Sequence, residues 1–292
     1  MGRFFKGIAW LLQHLPEFIA LWLASLLGNI WYYIVPIRRK VVMLNLRIAF
    51  PQKSYRELQR LCRKTLISFM YNFVEFTRII HIDQEFIEQR VTVDGMKVLE
   101  EVQARGKGIV VVSGHLGNWE VMGAAASRLG YPITYIVKRV KDQLLDDLIN
   151  GWRRKVGVDI IYARESGKKI VPHLNAGRIV AFMIDQDAGK RGVWIDFFNQ
   201  PASTPRGAAV YSLRTGAPVL FMYDVRKPGG RHHVVIREVE INREDGLSEE
   251  SIIRVMSELT RALEEAICRY PEQYMWMHHR WRSWLRSQGK QV

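Results

Sequence analysis

The sequence contains very little cysteine. Cys62 and Cys268 are the only two among 292 residues, so a disulfide scaffold is excluded, and their separation matches no zinc-binding spacing. The histidine pairs at 232–233 and 278–279 also lack the i, i+4 spacing that places two imidazoles on one helix face as zinc ligands. The sequence therefore predicts a protein of a reducing compartment, with no metal site.

Nucleotide-binding and serine-hydrolase motifs are also absent. The chain has no Gly-x-x-x-x-Gly-Lys-Ser/Thr sequence, and no Gly-x-Gly-x-x-Gly follows a predicted strand. A nucleophile at Ser113 would need glycine at the two positions that Val111 and His115 occupy. The sequence thus gives no support to a covalent-nucleophile or metal mechanism.

Acidic residues are few relative to basic ones. The chain has 43 Lys and Arg against 29 Asp and Glu, a formal net charge of +14, and a pI near 9.9. Its hydrophobic (48%) and charged (25%) fractions are those of a globular protein, which excludes a disordered or low-complexity chain. The excess of positive charge predicts an anionic partner: nucleic acid, a phospholipid surface or a phosphorylated substrate.

An uncharged run occupies residues 18–35, near the N-terminus. Its eighteen residues are at the lower limit of what crosses the hydrocarbon core of a bilayer. The aromatic residues 31–33 adjoin the basic residues 38–40, as in an interfacial belt followed by a basic stop. We predict that residues 1–40 form a hydrophobic, helical membrane-anchoring segment that either spans the membrane or lies in one leaflet; a buried pair of core helices is the alternative.

Beyond residue 40, helical and strand patterns alternate. Residues 54–80 carry apolar side chains at helical spacing. Short apolar runs predict strands at 108–113, 132–137, 158–162, 178–184, 217–225 and 233–241, and helices are predicted at 118–130, 142–156, 166–176, 204–215 and 249–269. This alternation predicts an α/β fold in which a mixed, largely parallel sheet is flanked by helices. We expect one α/β domain over residues 41–292.

The residues with the clearest chemical character are SGHLGNWE at 113–120. His115 directly follows a predicted strand, at the carboxyl end where α/β sheets bind ligands. If the chain folds His115 back onto Glu120, the carboxylate fixes the imidazole tautomer and the other ring nitrogen acts as a general base. Gly117 precedes and Asn118 begins a predicted helix whose free N–H groups can bind an anionic substrate. A structural histidine at a strand end is the alternative.

GHLGNWE, at 114–120, resembles the His-x4-Asp/Glu box of the lysophospholipid acyltransferase-like enzymes, in the form found in bacterial lipid A late acyltransferases. Three further blocks, at 38–54, 183–221 and 271–282, are similar to segments of that family and occur in the same order. On these blocks the chain is identified as a member of the lauroyl/myristoyl transferase family over nearly its whole length. The resemblance implies a glycerolipid acyltransferase-like fold.

The resemblance implies an enzyme that transfers a fatty acyl chain from an acyl carrier protein thioester to a hydroxyl of a lipid A precursor. His115 would be the general base, and Glu120 would hold it and balance its charge. No cofactor is implied, because the thioester is a co-substrate; acyl-coenzyme A as donor and a lysophospholipid or other glycolipid as acceptor are the alternatives. The implied location is the cytoplasmic face of the inner membrane, where the partners are acyl carrier protein, the lipid A precursor and phospholipid rather than nucleic acid.

The resemblance also assigns a catalytic role to two aspartates. Asp185 and Asp187 follow the predicted strand 178–184. This places them at a carboxyl edge of the sheet, where His115 is also predicted to lie. They would orient His115 or the acceptor. Aspartates of a solvated turn are the alternative.

Three further residues are predicted to bind phosphate or thioester oxygen. Arg164, which follows the strand at 158–162, has a planar fork suited to phosphate. Thr204 and Arg206 open the helix predicted at 204–215. A surface salt bridge for Arg164 and an ordinary helix cap for the other two are the alternatives.

The C-terminal run HHRWRSWLR, at 278–286, interleaves aromatic and basic side chains. It predicts an interfacial segment with Trp281 and Trp284 in the lipid headgroup layer. A solvated tail and a patch for single-stranded nucleic acid are the alternatives. Outside the enzyme class, the remaining hypothesis is a basic membrane- or nucleic-acid-binding protein in which His115 is structural.

Overall fold

The computed structural model describes residues 2–35 and 37–290. Its helices are α1 (Gly2–His14), α2 (Glu17–Tyr33), α3 (Arg39–Ala49), α4 (Tyr55–Arg78), α5 (Gln84–Arg90), α6 (Met96–Ala104), α7 (Trp119–Arg128), α8 (Gln143–Lys155), α9 (Ser166–Asn175), α10 (Gly207–Thr215), α11 (Glu249–Arg269) and α12 (Arg282–Ser287). Its strands are β1 (Val91–Asp94), β2 (Ile109–Ser113), β3 (Ile133–Val137), β4 (Asp159–Tyr162), β5 (Ile179–Met183), β6 (Val193–Phe197), β7 (Gln200–Thr204), β8 (Val219–Lys227) and β9 (Arg231–Val239). Residues 1, 36, 291 and 292, which the two predicted domain ranges include, lie outside the described residues.

Seven strands form one sheet in the order β1-β9-β8-β2-β5-β3-β4. Neighbouring strands in this sheet are parallel except β8 and β9, which form an antiparallel pair. All five residues of β2 are buried, as its run of valines predicts for a parallel strand covered on both faces. The predicted α/β fold with a mixed, largely parallel sheet flanked by helices is confirmed.

The sequence patterns miss three strands. β1 has four residues, of which alternate ones are exposed, and β7 contains Pro201, a residue that strands disfavour. β6 and β7 form a separate antiparallel hairpin; its turn residues Phe198 and Asn199 both have positive φ, at 51° and 56°, as a type I′ hairpin turn requires. Because Thr204 belongs to this hairpin, α10 begins at Gly207 and not at 204 as predicted.

The long helix α4 reaches the carboxyl edge of the sheet. Its start is fixed by a capping box between Ser54 and Glu57. Near its end, Asn72 Nδ2 donates a hydrogen bond of 2.6 Å to the carbonyl oxygen of Gly117, in the segment that follows β2. α4 therefore connects the N-terminal helices to the segment that contains His115.

A row of small residues packs α2 against α4. Ala20, Ala24 and Gly28 are the buried residues of α2. A Cβ atom at Gly28 would lie 2.6 Å from the Cα of Ile67 in α4. The two helix backbones therefore approach so closely that only glycine fits at this position.

The opposite face of α2 is apolar and exposed. Phe18 is 74% exposed and Trp22 is 60% exposed, and Phe4 and Trp10 of α1 are exposed as well. None of the described helices is long and apolar enough to cross a membrane. The segment predicted as an anchor is thus largely the helix pair α1 and α2, and its association with a membrane stays a prediction.

We expect Gly28→Ala to lower the free energy of unfolding by about 1–3 kcal/mol, because the added methyl group must displace the backbone of α4. Urea denaturation of the full chain in a neutral detergent, followed by circular dichroism, measures this change. Gly7→Ala is the matched control, since nothing lies within 4 Å of a Cβ at this position in α1 and alanine favours the helix. Equal effects of the two substitutions would contradict the close packing of α2 on α4.

Candidate active site

The carboxyl ends of β2 and β5 bring His115 and Asp185 together. The two strands are parallel neighbours, with Ser113 opposite Met183, and just beyond them the Ile184 N–H donates a hydrogen bond of 3.1 Å to the Ser113 carbonyl. Asp185 then accepts two hydrogen bonds from His115: from the backbone N–H to Oδ2 at 2.8 Å and from Nδ1 to Oδ1 at 2.8 Å. The structure thus makes Asp185 the direct partner of His115.

Asp185 is buried and ionised. Only 2% of the residue is exposed; burial alone would raise the pKa of its carboxyl group, but the His115 imidazole and the hydrogen bonds from His115 outweigh burial and lower the pKa to about 2. A carboxylate only accepts hydrogen bonds, so Nδ1 of His115 carries the proton and Nε2 is left to accept one. The imidazole side chain is 14% exposed, which leaves it accessible to a substrate.

Two aromatic side chains adjoin this pair. The ring of Trp119 stands edge-on to the His115 ring, with the two centroids 4.6 Å apart. Tyr274 is buried; burial and the nearby Asp185 charge both raise the pKa of the phenol well above its usual value. Tyr274 therefore stays protonated beside the Asp185 carboxylate.

Residues 271–278, which we call the C-terminal strap, run beside the segment that contains His115. The Met275 N–H donates a hydrogen bond of 2.9 Å to the His115 carbonyl, and the Gly117 N–H donates one of 3.1 Å to the Gln273 carbonyl. The block at 271–282, identified by its family resemblance, thus forms one side of the site.

Gly117 has a packing role, and its contact with a substrate stays a prediction. Its φ is +61°, and a Cβ atom there would lie 1.8 Å from the carbonyl oxygen of Asp224. Glycine is required by both constraints. Because its N–H is bonded to Gln273, that group is not a free donor for an anion.

The predicted contact between Glu120 and His115 is wrong. Within the described residues, no hydrogen bond or ion pair joins the two side chains. Glu120 instead accepts hydrogen bonds from the Arg153 guanidinium of α8, from Nε at 3.0 Å and from Nη2, and from Trp119 Nε1 at 3.1 Å. Since α7 begins at Trp119, Glu120 lies in the first turn of this helix and binds α8 rather than folding back onto the strand end.

Asn118 caps α7 and occupies two N–H groups at this helix start, and substrate binding there stays a prediction. Its Oδ1 accepts from the N–H groups of Glu120 and Val121, at 3.2 Å each. Its own N–H donates to Asp224 at 3.0 Å and its Nδ2 donates to Glu75 at 2.7 Å. These donors are used within the protein, and Asn118 is only 1% exposed.

Asp187 binds the C-terminal segment and not His115. Its N–H donates to Nε2 of His278 at 2.9 Å, and its carboxylate accepts hydrogen bonds from Gly189 and Ser283. Burial lowers the pKa of His278 to about 4, as suits a neutral ring that accepts a hydrogen bond. Asp187 therefore fixes the loop after β5. The sequence does not single out His278; its position in the 271–282 block is the only signal for it.

The three predicted phosphate ligands do not meet at His115. Arg164 is exposed after the end of β4, which is three positions from β2 in the sheet, or about 14 Å at the usual strand spacing. Thr204 is fully buried and accepts a hydrogen bond of 2.6 Å from Arg280 Nη2. Arg206 forms a two-bond ion pair with Glu249. Thr204 and Arg206 thus have structural contacts, and phosphate or thioester binding by these three residues stays a prediction.

Trp281 does not lie in a headgroup layer, because it is fully buried. Its ring packs against Phe197 of β6, with the centroids 5.5 Å apart. Its neighbour Arg280 is 2% exposed and donates a hydrogen bond of 2.7 Å to the Ser203 carbonyl. Trp284 is partly buried. The C-terminal run thus holds the β6–β7 hairpin.

A second buried charge cluster consists of Glu75, Asp224, Arg226 and His232. Arg226 Nε donates to Glu75 at 2.7 Å, and His232 Nδ1 donates to Asp224 Oδ2 at 2.8 Å. Burial alone would lower the pKa of His232, but the carboxylates of Asp224 and Glu75 raise it to about 10. Since Asp224 Oδ2 also accepts the Asn118 N–H, this cluster holds the start of α7.

No group of three or more His, Cys, Asp or Glu in the described part of the chain is arranged to hold a metal ion.

The raised pKa of His232 makes stability depend on pH. The paired imidazolium contributes fully below the ordinary pKa of 6.5, and its contribution is lost as the pH rises through about 10. We expect the urea midpoint of the wild type to fall over this interval and His232→Gln to lose that dependence. His233→Gln, at the partly exposed neighbour, is the matched control; an unchanged pH dependence in His232→Gln would show that another group titrates.

Residues 4–283 match the family model described as bacterial lipid A biosynthesis acyltransferase. The chain is 26% identical over 280 residues to the lipid A biosynthesis lauroyltransferase of Escherichia coli K12, which covers 95% of this chain and 90% of that protein. It is 27% identical over 132 residues to a phosphatidylinositol mannoside acyltransferase of Mycobacterium tuberculosis, which covers 44% of this chain and 42% of that protein.

Among solved structures, the 1-acyl-sn-glycerophosphate acyltransferase of Thermotoga maritima matches at a TM-score of 0.41 and 17% identity, over 86% of this chain and 99% of that chain. The family model, by contrast, spans nearly the whole sequence. The protein is an acyltransferase, and it belongs to the bacterial lipid A biosynthesis acyltransferase family.

Proposed function

We propose that this enzyme transfers a fatty acyl chain from a thioester to a hydroxyl group of a lipid A precursor, with His115 as the general base and Asp185 as the residue that orients it. The observation that carries the proposal is the hydrogen bond of 2.8 Å from His115 Nδ1 to the buried Asp185, which leaves Nε2 for the substrate. Membership of the family supports acyl transfer to a lipid. The name of the lauroyltransferase relative supports the choice of acceptor.

The reaction is a base-assisted acyl transfer. Nε2 of His115 takes the proton of the acceptor hydroxyl while the hydroxyl oxygen attacks the thioester carbonyl carbon. The tetrahedral intermediate collapses as the C–S bond breaks, and the leaving thiolate takes the proton from the imidazolium. Asp185 stays ionised and stabilises the transient imidazolium. The products are the acylated lipid and a free thiol.

Glu120 receives a different role from the one that its spacing predicts. Arg153 joins its carboxylate to α8, and Trp119 Nε1 donates to the same carboxylate at 3.1 Å. Glu120 therefore holds the indole that stands edge-on to His115. We assign to Glu120 the role of holding the Trp119 indole beside His115, and to Asp185 the role of orienting the His115 imidazole.

The proposed donor is an acyl carrier protein thioester, with acyl-coenzyme A as the alternative, and the proposed location is the cytoplasmic face of the inner membrane. The net charge of +14 favours both an anionic membrane surface and an acidic carrier protein over a neutral partner. The exposed apolar side chains of α1 and α2, among them Phe4, Trp10, Phe18 and Trp22, supply a surface for insertion into one leaflet.

We expect His115→Ala to lower kcat by about 10²–10⁴-fold, the usual contribution of a general base. Asp185→Asn is expected to lower kcat by a similar factor, because an amide does not stabilise the imidazolium. Transfer of a radiolabelled acyl group from acyl carrier protein to a lipid A precursor measures both changes. His173→Ala, at a partly exposed position of α9, is the control for loss of an imidazole; a wild-type rate in His115→Ala would rule out the mechanism.

The roles of Glu120 and Arg153 are separated by a double-mutant cycle. We expect Glu120→Gln to lower the free energy of unfolding by about 3–5 kcal/mol, because it leaves the Arg153 guanidinium buried without a carboxylate. Glu120→Gln combined with Arg153→Met is expected to recover most of the stability and of kcat. Thermal unfolding and the acyl-transfer assay measure these two variants and Arg153→Met alone, which completes the cycle. If the double variant regains stability but stays as slow as His115→Ala, then Glu120 acts on the chemistry directly.

A further inference from the structure

A cavity of about 760 Å³ lies between α2, α4 and the turn that joins β8 to β9. This volume is typical of small-molecule sites. Arg226 and Lys227, at the carboxyl end of β8, line one side of the cavity, and Phe18 and Leu21 of α2 line the other. His115 does not line it, so the proposed reaction gives this cavity no role.

Arg226 is a deeply placed cation of this cavity. Its side chain is 11% exposed, its Nε and Nη2 donate to Glu75 and Asn72, and its guanidinium lies 5.0 Å from the centroid of the Tyr71 ring. Its Nη1 has no acceptor among the residues that the structure describes. A guanidinium held in this way offers a pre-oriented donor to an anion.

Two ammonium groups add to the positive charge. Lys64 is exposed on α4, Lys227 contacts a tyrosine hydroxyl at 3.4 Å, and neither forms an ion pair with a described carboxylate. The two carboxylates that line the cavity are Glu17, which is paired with Arg90, and Glu272. The lining has four cations and two carboxylates, and Glu75, behind the lining, pairs with Arg226. The remaining formal charge of +1 comes from Lys64 and Lys227, and it favours an anionic ligand such as a phosphate group.

The other wall of the cavity is apolar and reaches the exposed face of α2. Phe18 lines the cavity and is 74% exposed, and Trp22, one turn further along α2, is 60% exposed. Leu21 and Ile67 continue the apolar wall. A ligand with a phosphate group and an alkyl chain contacts both walls, whereas inorganic phosphate contacts only the basic one.

The cavity lies close to the site. Gln273 of the C-terminal strap lines the cavity, and Met275, two residues further along the strap, donates to the His115 carbonyl. At about 3.3 Å per residue of extended chain, these positions are about 7 Å apart. A ligand in the cavity is therefore bound next to the segment that contains His115 without contacting His115.

We propose that this cavity binds the phosphate group of an amphiphile, with the phosphate at Arg226, Lys64 and Lys227 and the alkyl chain along Phe18 and Leu21. The chemistry is shared by phosphorylated glycolipids and phospholipids and is distinct from that of free phosphate. Binding at this site does not depend on acyl transfer, so the proposal stands or falls separately from the function of His115.

The test is calorimetric titration of the full chain, kept in a neutral detergent, with hexyl phosphate, inorganic phosphate and hexyl glucoside. We expect hexyl phosphate to bind at least about tenfold more tightly than either of the other probes. The Lys64→Ala/Lys227→Ala variant is expected to bind hexyl phosphate about tenfold more weakly than the wild type, the effect of losing two partly exposed ion pairs. Lys97→Ala/Lys168→Ala, two exposed positions outside the cavity, is the control with the same change of net charge.

Three results would overturn the proposal. Equal weakening in the two double variants would mean that hexyl phosphate responds only to net charge. If inorganic phosphate binds as tightly as hexyl phosphate, the cavity is a site for free phosphate. If hexyl glucoside binds as tightly as hexyl phosphate, the cations have no role in binding. The titration is repeated on His115→Ala, which is expected to bind hexyl phosphate like the wild type whether or not it transfers acyl groups.

Discussion

The two hydrogen bonds from His115 to the buried Asp185 carboxylate are the constraint on which the site depends. The backbone N–H and Nδ1 both reach this carboxylate at 2.8 Å, so the main chain and the ring are fixed together and Nε2 is the nitrogen left for a substrate. The arrangement requires β2 and β5 to be adjacent and parallel, because only then do their carboxyl ends meet at one sheet edge. The other contacts of the site keep this edge in place.

Two buried carboxylates near this edge are paired with arginines from distant parts of the chain, and a third accepts hydrogen bonds from His115. The ion pairs are Arg153 with Glu120 and Arg226 with Glu75, and the third carboxylate is Asp185. Removing one partner of a buried pair leaves a charge uncompensated, at a cost of about 3–5 kcal/mol. The positions of α4, α7, α8 and the ends of β5 and β8 therefore depend on one another. The segment that contains His115 acquires its geometry only in the complete fold.

Predictions that depend on local sequence patterns agree with the structure. Those that depend on contacts between residues far apart in the sequence fail. The sheet strands other than β1 and the position of His115 at a strand end depend on local patterns, and these predictions agree with the structure. Glu120 is close to His115 in sequence, yet the start of α7 directs it to Arg153, which is 33 residues further along the chain. No local pattern contains this pairing. The burial of Trp281 likewise depends on the β6–β7 hairpin, which the alternation of apolar residues does not predict.

α4 sets the distance between the exposed apolar face of α2 and the segment that contains His115. Its Ile67 meets Gly28 of α2 at backbone contact distance, and its Glu75 accepts a hydrogen bond of 2.7 Å from Asn118 at the start of α7. These two positions are about 12 Å apart along the helix axis, at 1.5 Å per residue. A helix this long and packed on both sides does not change that separation. If α2 inserts into one leaflet as proposed, α4 therefore determines how far from the lipid surface His115 meets an acceptor hydroxyl.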